Sequence, residues 1–274
     1  MKVVTIFNEK GGTGKTTITA LFASWLAYHK NENVFALDFD YPSYHLTNMR
    51  ERDNQLLVPE NLNFIRAVAG RPPFGMGKAP GKGHYSEADL EKIAKYVRKM
   101  RDGSDGYLLL DFPGHFLPGD PVYHLAYAGL LDMMVFPIDS DRQSRASASL
   151  LVQMLRTPEF CRSAGKPGGQ RMVVLWNRET GAERKGKRDW YGDGDALFRS
   201  LGVPVAGVRV RELLIARRDP NTYGFIRSTR CWPEVNIRRQ APWLNPLFEE
   251  LKARADGTWN EKMRSRIYGP AQTK

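Results

Sequence analysis

The chain is poor in cysteine and has no long apolar run. Its 274 residues include two cysteines, Cys161 and Cys231, and neither has another cysteine or a histidine close to it in sequence. This argues against a disulfide framework, a zinc ribbon or an iron–sulfur cluster bound by paired cysteines, so we interpret both as small hydrophobic residues. No apolar run approaches the roughly 18 to 20 residues of a membrane span, and residues 3–7 lead into polar residues rather than a signal peptide. We expect a cytoplasmic protein.

Acidic residues are fewer than basic residues. Lys and Arg number 41 against 30 Asp and Glu, which gives a net charge of +11. The excess lies towards the end of the chain, because residues 178–274 hold 20 basic and 12 acidic residues, against 21 and 18 in residues 1–177. The basic residues of interest there are Arg184, Lys185, Lys187, Arg188, Arg217, Arg218, Arg227, Arg230, Arg238 and Arg239. This excess favours a polyanionic partner, and the alternative is a solvated basic surface.

Short apolar runs alternate with helical patterns along most of the chain. The runs predict strands at residues 2–7, 34–38, 63–68, 107–111, 133–137, 172–177 and 203–208. Helices are predicted at residues 16–29, after Ser86, near 122–131, at 141–155, near 195–201 and at 244–255. Because several strands are apolar throughout, the alternation predicts an α/β fold with a doubly wound, mostly parallel sheet and helices on both faces.

Two stretches interrupt this alternation. Residues 70–83 contain five glycines and three prolines, which predicts irregular structure, and the polar, basic residues 180–195 predict a surface loop. Neither stretch is a linker that requires separate domains. We therefore predict one domain over residues 1–274, with loop insertions near 70–86 and 180–195 and a helical, basic C-terminal region. Ser86 and Asp89 have the spacing of a capping box at the start of the helix between the two insertions.

The most specific motif is Lys10-Gly11-Gly12-Thr13-Gly14-Lys15-Thr16-Thr17, between a predicted strand and a predicted helix. Glycines let backbone N–H groups surround an anion, and the helix N-terminus adds unpaired N–H groups and partial positive charge. In such a loop Lys15 bridges the β- and γ-phosphates of a nucleotide, and the Thr16 hydroxyl is placed for Mg²⁺. The usual spacing, G-x-x-x-x-G-K-[ST], would need a glycine where the chain has Glu9.

Three aspartates, Asp38, Asp40 and Asp111, lie at or just beyond the ends of predicted strands. Open α/β sheets bind ligands at the carboxyl ends of their strands, so these carboxylates are placed to hold a metal ion. The alternative is that each aspartate begins a loop, where this residue type is common.

The loop resembles the deviant Walker A motif of the ParA/MinD superfamily, K-G-G-x-G-K-[ST], for which the displaced first glycine is typical. Leu37-Asp38-Phe39-Asp40-Tyr41-Pro42 resembles the D-x-D segment of that superfamily, and Leu108-Leu109-Leu110-Asp111-Phe112-Pro113-Gly114 resembles its Walker B region. Val174-Leu175-Trp176-Asn177-Arg178 resembles the strand end beside the adenine. The resemblance covers about residues 2–210 and implies a P-loop NTPase fold, ATP and Mg²⁺ as cofactors, and hydrolysis of ATP to ADP and phosphate.

The resemblance also implies a role for each matched residue. Nucleotide binding is implied for Gly11, Gly12, Thr13, Gly14, Lys15, Thr16, Thr17 and Asn177. Thr16, Asp38 and Asp111 are implied to lie around the metal, with Asp111 acting through water. Lys10, Lys15 and Asp40 are the implied catalytic residues. Lys10 would reach the nucleotide of the second subunit in an ATP-dependent homodimer, and Asp40 would orient the attacking water.

The superfamily contains partition ATPases that bind DNA, MinD-like membrane regulators and iron–sulfur proteins, and the two cysteines do not fit the last group. Residues 244–251 have helical spacing but precede a polar tail, so we interpret this helix as packed on the core rather than as a membrane anchor.

The basic C-terminal region favours binding to duplex DNA, and this binding is expected to be non-specific because no helix-turn-helix or zinc signature is present. We therefore expect an ATP-dependent dimerising switch that binds DNA, associates with the nucleoid and has an ATPase-stimulating protein partner of unknown identity.

The role of such a switch has more than one interpretation. The alternative is a MinD-like, nucleotide-dependent switch that recruits protein partners or membrane without binding DNA. Residues 38–42, followed by Met49-Arg50-Glu51-Arg52-Asp53, resemble ParA-like proteins of conjugative elements. That resemblance implies partition, maintenance or transfer of plasmid or mobile DNA.

Overall fold

A computed structural model describes residues 1–166, 171–185, 191–212, 228–232 and 241–269. Within these residues six strands form one sheet in which all neighbours run parallel. The strands are β1 (Lys2–Ile6), β2 (Val34–Asp38), β3 (Gly75–Lys78), β4 (Tyr107–Asp111), β5 (Met133–Ile138) and β6 (Arg171–Trp176), in the spatial order β3-β2-β4-β1-β5-β6. The predicted parallel sheet is confirmed.

The helices of the described residues alternate with these strands. They are α1 (Lys15–Tyr28), α2 (His45–Gln55), α3 (Leu62–Val68), α4 (Glu87–Gly103), α5 (Pro121–Tyr127), α6 (Arg142–Leu155), α7 (Pro158–Ser163), α8 (Gly181–Lys185), α9 (Gly192–Ser200), α10 (Leu244–Asp256) and α11 (Glu261–Tyr268). The predicted capping box at the start of α4 is confirmed. The Asp89 N–H donates to the Ser86 hydroxyl at 3.2 Å, and the Ser86 N–H donates to the Asp89 carboxylate at 3.2 Å.

Helices cover both faces of the sheet and create two hydrophobic cores. On one face α4, α5 and α6 pack against the sheet through residues that include Val97, Leu125 and Leu151, all of them buried. On the other face α1 and α10 meet, where the rings of Phe22 and Phe248 lie 5.4 Å apart. Because both faces are covered, β4 and β5 are buried along their whole length.

The strand order places the end of β1 at the centre of the sheet. From β1 the chain moves outward through β2 to β3, returns to β4 beside β1, and then continues through β5 to β6 on the other side. Ligands of open α/β sheets bind at the carboxyl ends of the strands where the winding direction reverses. The glycine-rich loop after β1 and Asp111 at the end of β4 both lie at this position.

The prediction of a strand at residues 63–68 is wrong, because these residues belong to α3. Phe64 and Val68 lie one helical turn apart and pack with Cys231 in a small buried cluster. An apolar run this short fits either a strand or a helix, and contacts with a distant part of the chain select the helix here.

The expectation of irregular structure throughout residues 70–83 is also wrong. Residues 75–78 form the edge strand β3, which pairs with β2 from Phe35 opposite Gly75 to Asp38 opposite Lys78. Pairing with a neighbouring strand outweighs the weak strand preference of glycine.

In place of the strand predicted at residues 203–208, the structure has one isolated parallel bridge, between Val205 and Val174. Pro204 has no N–H to donate, so the ladder does not extend through it. The predicted loop at residues 180–195 is corrected in part, since it contains α8 and the start of α9. Arg184 and Lys185 lie in the last turn of α8, whereas residues 186–190 lie outside the described residues.

The helix α10 packs on the core, as predicted. Leu244, Leu247 and Leu251 are buried along one side of it. Among the described residues, no helix combines the length and the apolar composition that crossing a membrane requires. Cys231 is buried as well, and burial raises the pKa of its thiol to about 11, in keeping with its interpretation as a small hydrophobic residue.

Candidate functional site

The loop between β1 and α1 takes a conformation that requires glycine at two positions. Gly12 and Gly14 have φ angles of 75° and 87°, a region that residues with a side chain rarely adopt. At Gly14 a Cβ atom would also lie 2.5 Å from Nδ2 of Asn177. Gly14 is the N-cap of α1, whose first turn carries no acidic residue. The loop therefore presents unobstructed backbone and a helix N-terminus at the same point, which suits an anion.

Lys15, the first residue of α1, faces the carboxylates predicted to share its site. Its Nζ donates to the Lys10 carbonyl oxygen at 3.3 Å. Burial lowers the pKa of the Lys15 ammonium, and the nearby carboxylates of Asp111 and Asp40 oppose this shift. The structure thus brings together Lys15, Asp40 and Asp111, which are far apart in sequence.

Asp111, at the end of β4, is fully buried, and neither carboxylate oxygen accepts a hydrogen bond. The pKa of its carboxyl is raised to about 8, first by burial and then by Asp38 and Asp40, against the opposing effect of Thr16 and Lys15. Thr16 lies close enough to lower this pKa, although not in hydrogen-bonding geometry. A buried carboxylate without donors is costly, and a bound cation would remove the cost.

The residues around Asp111 fit a magnesium ion held together with phosphates. Mg²⁺ is usually bound by one or two carboxylates, several waters and substrate phosphates rather than by a cage of protein ligands. Among the described residues no group of three or more His, Cys, Asp or Glu side chains forms such a cage. Asp111 supplies the carboxylate and Thr16 the neighbouring hydroxyl, so the remaining ligands would have to come from water and a phosphate chain.

Asp38 is equally buried, but its carboxylate is occupied by hydrogen bonds within the chain. One oxygen accepts from the Thr47 N–H at 2.8 Å and from the Thr47 hydroxyl at 3.0 Å, and the other accepts from the Asp40 N–H at 3.1 Å. These bonds fix the turn between β2 and α2. Asp38 lies opposite Asp111 in the strand register, so it is near the predicted metal position.

Asp40 lies in that turn, and its carboxylate pairs with the His45 ring at the start of α2. The Asp40 side chain is mostly buried, while the His45 side chain is 64% exposed. The turn therefore holds the Asp40 carboxylate on the open side of the loop, at a distance from which its charge acts on Lys15.

Lys10 is held apart from Lys15 within the chain. Its Nζ pairs with the carboxylate of Asp141, which lies 131 residues away and caps α6 by accepting from the Gln143 N–H at 2.8 Å. Lys10 lowers the pKa of the Asp141 carboxyl. The two lysines of the motif thus have different partners.

A pocket of about 340 Å³ adjoins the loop on the side of β6. Asn177 enters it from the end of β6 and donates from Nδ2 to the Thr13 carbonyl oxygen at 2.6 Å. Arg178 donates from its guanidinium to the Gly12 carbonyl oxygen at 3.1 Å. Apolar residues of α1 and α10, including Ile18 and Leu247, form the opposite wall. An apolar wall facing a few polar groups suits a flat heterocycle such as a purine base.

The sequence prediction omitted several residues of this region. Trp243 lines the pocket, and its buried indole N–H makes no hydrogen bond within the described part of the chain. Arg178 holds the loop, and Asp141 and Thr47 hold Lys10 and Asp38. Trp243, Asp141 and Thr47 belong to none of the matched motifs, so no local signal identifies them, whereas Arg178 directly follows Asn177 in one of these motifs and was assigned no role. Of the predicted loop residues, Gly11 is exposed, Thr13 is buried and Thr17 lines the pocket.

Comparison with known families and structures agrees with this geometry. Residues 4–114 match the family CbiA, described as the CobQ/CobB/MinD/ParA nucleotide binding domain. No curated protein matches the chain significantly in sequence.

Solved structures of low sequence identity share the fold. The chain is similar to MinD in the MinC:MinD cell division complex of Aquifex aeolicus, with 18% identity, 92% of this chain and 96% of that chain covered, and a TM-score of 0.57. It is similar to a Cyanothece McdA variant in complex with ATP, with 16% identity, coverage of 95% and 98%, and a TM-score of 0.59. It is also similar to pNOB8 ParA bound to nonspecific DNA, with 19% identity, coverage of 94% and 99%, and a TM-score of 0.57.

The glycine loop, Lys15 and the buried Asp111 all lie within the matched residues. Residues 4–114 thus match the CobQ/CobB/MinD/ParA nucleotide binding domain, and the chain is similar in fold to solved MinD, McdA and ParA structures.

Proposed function

We propose that the protein binds ATP with Mg²⁺ at the glycine loop, dimerises in the ATP-bound state, hydrolyses ATP to ADP and phosphate, and binds duplex DNA without sequence preference. The observation that carries the nucleotide part is the buried carboxylate of Asp111, which has no hydrogen-bond donor and lies near Lys15 and Thr16. Such a group needs a cation, and the N-terminus of α1 needs an anion. A magnesium–nucleotide complex meets both needs.

Each side chain of the site has one task in this proposal. The N–H groups of residues 11–17 hold the phosphates, and the Lys15 ammonium binds the β- and γ-phosphate oxygens. Thr16 and Asp111 would hold Mg²⁺, which neutralises charge on the phosphates when it is bound. Asp40, fixed by His45 and by the turn that Asp38 stabilises, orients the attacking water. Positioning and charge stabilisation account for most of the catalysis of phosphoryl transfer.

The pocket beside Asn177 is proposed to hold the adenine. The hydrogen bond to the Thr13 carbonyl oxygen orients Asn177, so Asn177 links the proposed adenine site to the phosphate-binding loop. The McdA variant of similar fold is described as an ATP complex, which supports ATP as the nucleotide.

Dimerisation is proposed to use Lys10. Its side chain is about one quarter exposed, and its Nζ is directed to Asp141 rather than to the loop of its own chain. It is therefore free of the Lys15 site and can contact the nucleotide of a second copy once the pairing with Asp141 is broken. Lys10→Ala is expected to bind ATP as a monomer, which light scattering with ATP would detect, whereas an undiminished ATP dimer would contradict this assignment.

The DNA part of the proposal rests on the charge of residues 178–274. Arg184 and Lys185 at the end of α8 are both exposed. Arg217, Arg218, Arg238 and Arg239, which we expect to contribute most, lie outside the described residues. The pNOB8 ParA structure of similar fold is described as bound to nonspecific DNA, which supports the same partner here. Contacts of this kind address the phosphate backbone and are sensitive to salt.

The nucleotide proposal is tested by replacing Lys15. Lys15→Ala removes the charge that faces the phosphates and is expected to weaken ATP binding more than tenfold, since charge-assisted bonds to phosphate are among the stronger polar contacts. Isothermal titration calorimetry with ATP and Mg²⁺ measures the change. The matched control is Lys10→Ala, which removes the same charge from the same loop and should keep ATP affinity. Equal affinity of a folded Lys15→Ala variant and the wild type would reject the site.

The DNA proposal is tested separately by fluorescence anisotropy with unrelated duplexes, with ATP and with ADP, at several salt concentrations. We expect stronger binding with ATP and a steep loss as salt rises. Replacing Arg217 and Arg218, or Arg238 and Arg239, with Ala should weaken binding and flatten the salt slope by about one unit per lost phosphate contact. Lys95→Ala with Arg98→Ala on α4 removes the same charge elsewhere as a control.

No binding at low salt in either nucleotide state would reject DNA and favour the MinD-like switch that recruits protein or membrane. The buried apolar side of α10 argues against the use of that helix as a membrane anchor. With DNA as the partner, we propose a role in partition, maintenance or transfer of plasmid or mobile DNA at the nucleoid, together with a protein that stimulates hydrolysis.

A further inference from the structure

A second cavity lies between the edge strand β3 and α4. It has a volume of about 400 Å³ and shares no lining residue with the pocket beside Asn177. Its floor is formed by Phe35 and Leu37 of β2 and by Phe39 directly after it, and this alternate spacing places them on one face of the sheet. Ile93 and Tyr96, which are three positions apart on α4, form its wall. We call this cavity the β3–α4 trough.

The trough exists because of the sequence of β3, Gly75-Met76-Gly77-Lys78. Met76 faces the opposite side of the sheet and packs against the core beneath α1, so both glycines face α4. A Cβ atom at Gly75 would lie 2.4 Å from the Phe35 ring, and one at Gly77 would lie 3.4 Å from Leu37. An ordinary edge strand would fill this space with side chains. Here two glycines leave an apolar floor open at the side of the sheet.

Positive charge surrounds the opening of the trough. Lys78, Lys82 and Lys92 line it. Lys78 pairs with Glu51 at 3.3 Å, and the one lining carboxylate, Asp89, is occupied. Asp89 pairs with Lys82 at 2.9 Å and accepts from Ser86, and these contacts lower the pKa of its carboxyl to about 2. Lys92 makes no ion pair or hydrogen bond with any residue of the described ranges. The ammonium of Lys92 at the opening therefore suits a negatively charged group.

We propose that the β3–α4 trough is a binding site for an amphipathic carboxylate whose apolar chain lies over Phe35, Leu37 and Phe39 and whose carboxylate meets Lys92. Pockets of this size that are mostly apolar, with a few charged groups at one end, are typical of small-molecule sites. The floor from Phe35 to Phe39 is about 13 Å long at about 3.3 Å per residue, which an extended chain of about ten carbons matches. The apolar floor would contact the apolar chain of the ligand, and the lysines would favour a negatively charged head group.

Decanoate is the probe that tests this site. It is titrated calorimetrically into the full chain without nucleotide, so that the outcome does not depend on the proposed ATPase or on DNA. We expect saturable binding at one site, and no saturable binding of decyltrimethylammonium, which has the same chain and the opposite charge. Failure of decanoate to saturate, or equal binding of the two amphiphiles, would overturn the proposal.

Variants of the lining locate the binding. Gly77→Val fills the trough at an edge strand that tolerates β-branched residues, and we expect at least a tenfold loss of decanoate affinity. Lys92→Gln should weaken binding about two- to fivefold, because the lysine is exposed. Lys95→Gln, the same change at an exposed α4 lysine outside the lining, should leave the affinity unchanged.

Folding of each variant is checked by circular dichroism and thermal unfolding. Tyr96→Glu is the second variant for the trough, because Tyr96 is 46% exposed and its replacement places a negative charge at the opening without filling the core. It should also reduce decanoate affinity at least tenfold. Unchanged affinity in a folded Gly77→Val or Tyr96→Glu protein would place the binding elsewhere and reject the trough.

Discussion

The ends of β2 and β4 carry the same residue type in the same register, with opposite surroundings. Asp38 lies opposite Asp111 across the two parallel strands, and both side chains are fully buried. Asp38 accepts three hydrogen bonds, from the Thr47 N–H, the Thr47 hydroxyl and the Asp40 N–H. Asp111 accepts none, and burial raises the pKa of its carboxyl.

The difference in hydrogen bonding distinguishes Asp38, a carboxylate with a structural role, from Asp111, a carboxylate that is suited to bind a ligand. Three donors compensate the burial of the Asp38 charge, so Asp38 stabilises the turn that carries Asp40. No hydrogen bond in the described part of the chain compensates the burial of Asp111, and Lys15 offsets it only in part, so this burial favours a bound cation. Position at a strand end is therefore a poor guide to the role of an aspartate unless its hydrogen-bond donors are also known.

The largest effect is expected at Asp111. Asp111→Asn should lower Mg²⁺-dependent ATP hydrolysis at least about hundredfold, since a metal contributes several kcal/mol of charge stabilisation. Without nucleotide, the free energy of unfolding should stay equal or rise by about 1 kcal/mol, because the cost of burying an ionisable carboxyl, which its raised pKa reflects, is removed. Phosphate release and urea unfolding measure the two quantities. A clear loss of stability would show that Asp111 is structural as well.

Asp38→Asn should have the opposite effect on stability. The amide nitrogen would face an N–H or hydroxyl donor from Thr47 or Asp40, so the free energy of unfolding should fall by about 2 kcal/mol. Urea unfolding measures it, with the exposed Asp102→Asn as a control for the lost charge. If Asp38→Asn were as stable as the wild type, the two strand ends would not differ as described.

A smaller effect is expected from Thr47→Val, which has nearly the same shape. It removes the hydroxyl that donates to Asp38 at 3.0 Å and keeps the backbone N–H that donates at 2.8 Å. The free energy of unfolding should fall by about 1 kcal/mol. The same urea titration shows whether the stabilisation of Asp38 is shared between these two donors, and no change would assign it to the backbone alone.

The smallest effect on stability is expected from His45→Gln. Its pairing with Asp40 is largely exposed to water, so the free energy of unfolding should change by less than about 0.5 kcal/mol. If Asp40 orients the attacking water, phosphate release should nevertheless fall severalfold, because the carboxylate loses its orienting partner. An unchanged rate would indicate that the turn alone positions Asp40.

The sequence by itself determined the features that depend on near neighbours. The strand–loop–helix of residues 2–28, the capping box of Ser86 and Asp89 and the α/β alternation all follow from local spacing, and the structure confirms them. The strand predicted from local spacing at residues 63–68 was wrong, because a short apolar run fits both a strand and the helix that formed.

Only the tertiary structure decided which groups meet. Lys10 and Asp141 are 131 residues apart, Asn177 and Thr13 are 164 apart, and neither pairing follows from any motif. The contrast between Asp38 and Asp111 depends on where donors lie around two strand ends that look alike in sequence. Hydrophobic periodicity fixes which elements form, whereas the hydrogen-bond partners of a buried polar group are set by how those elements pack.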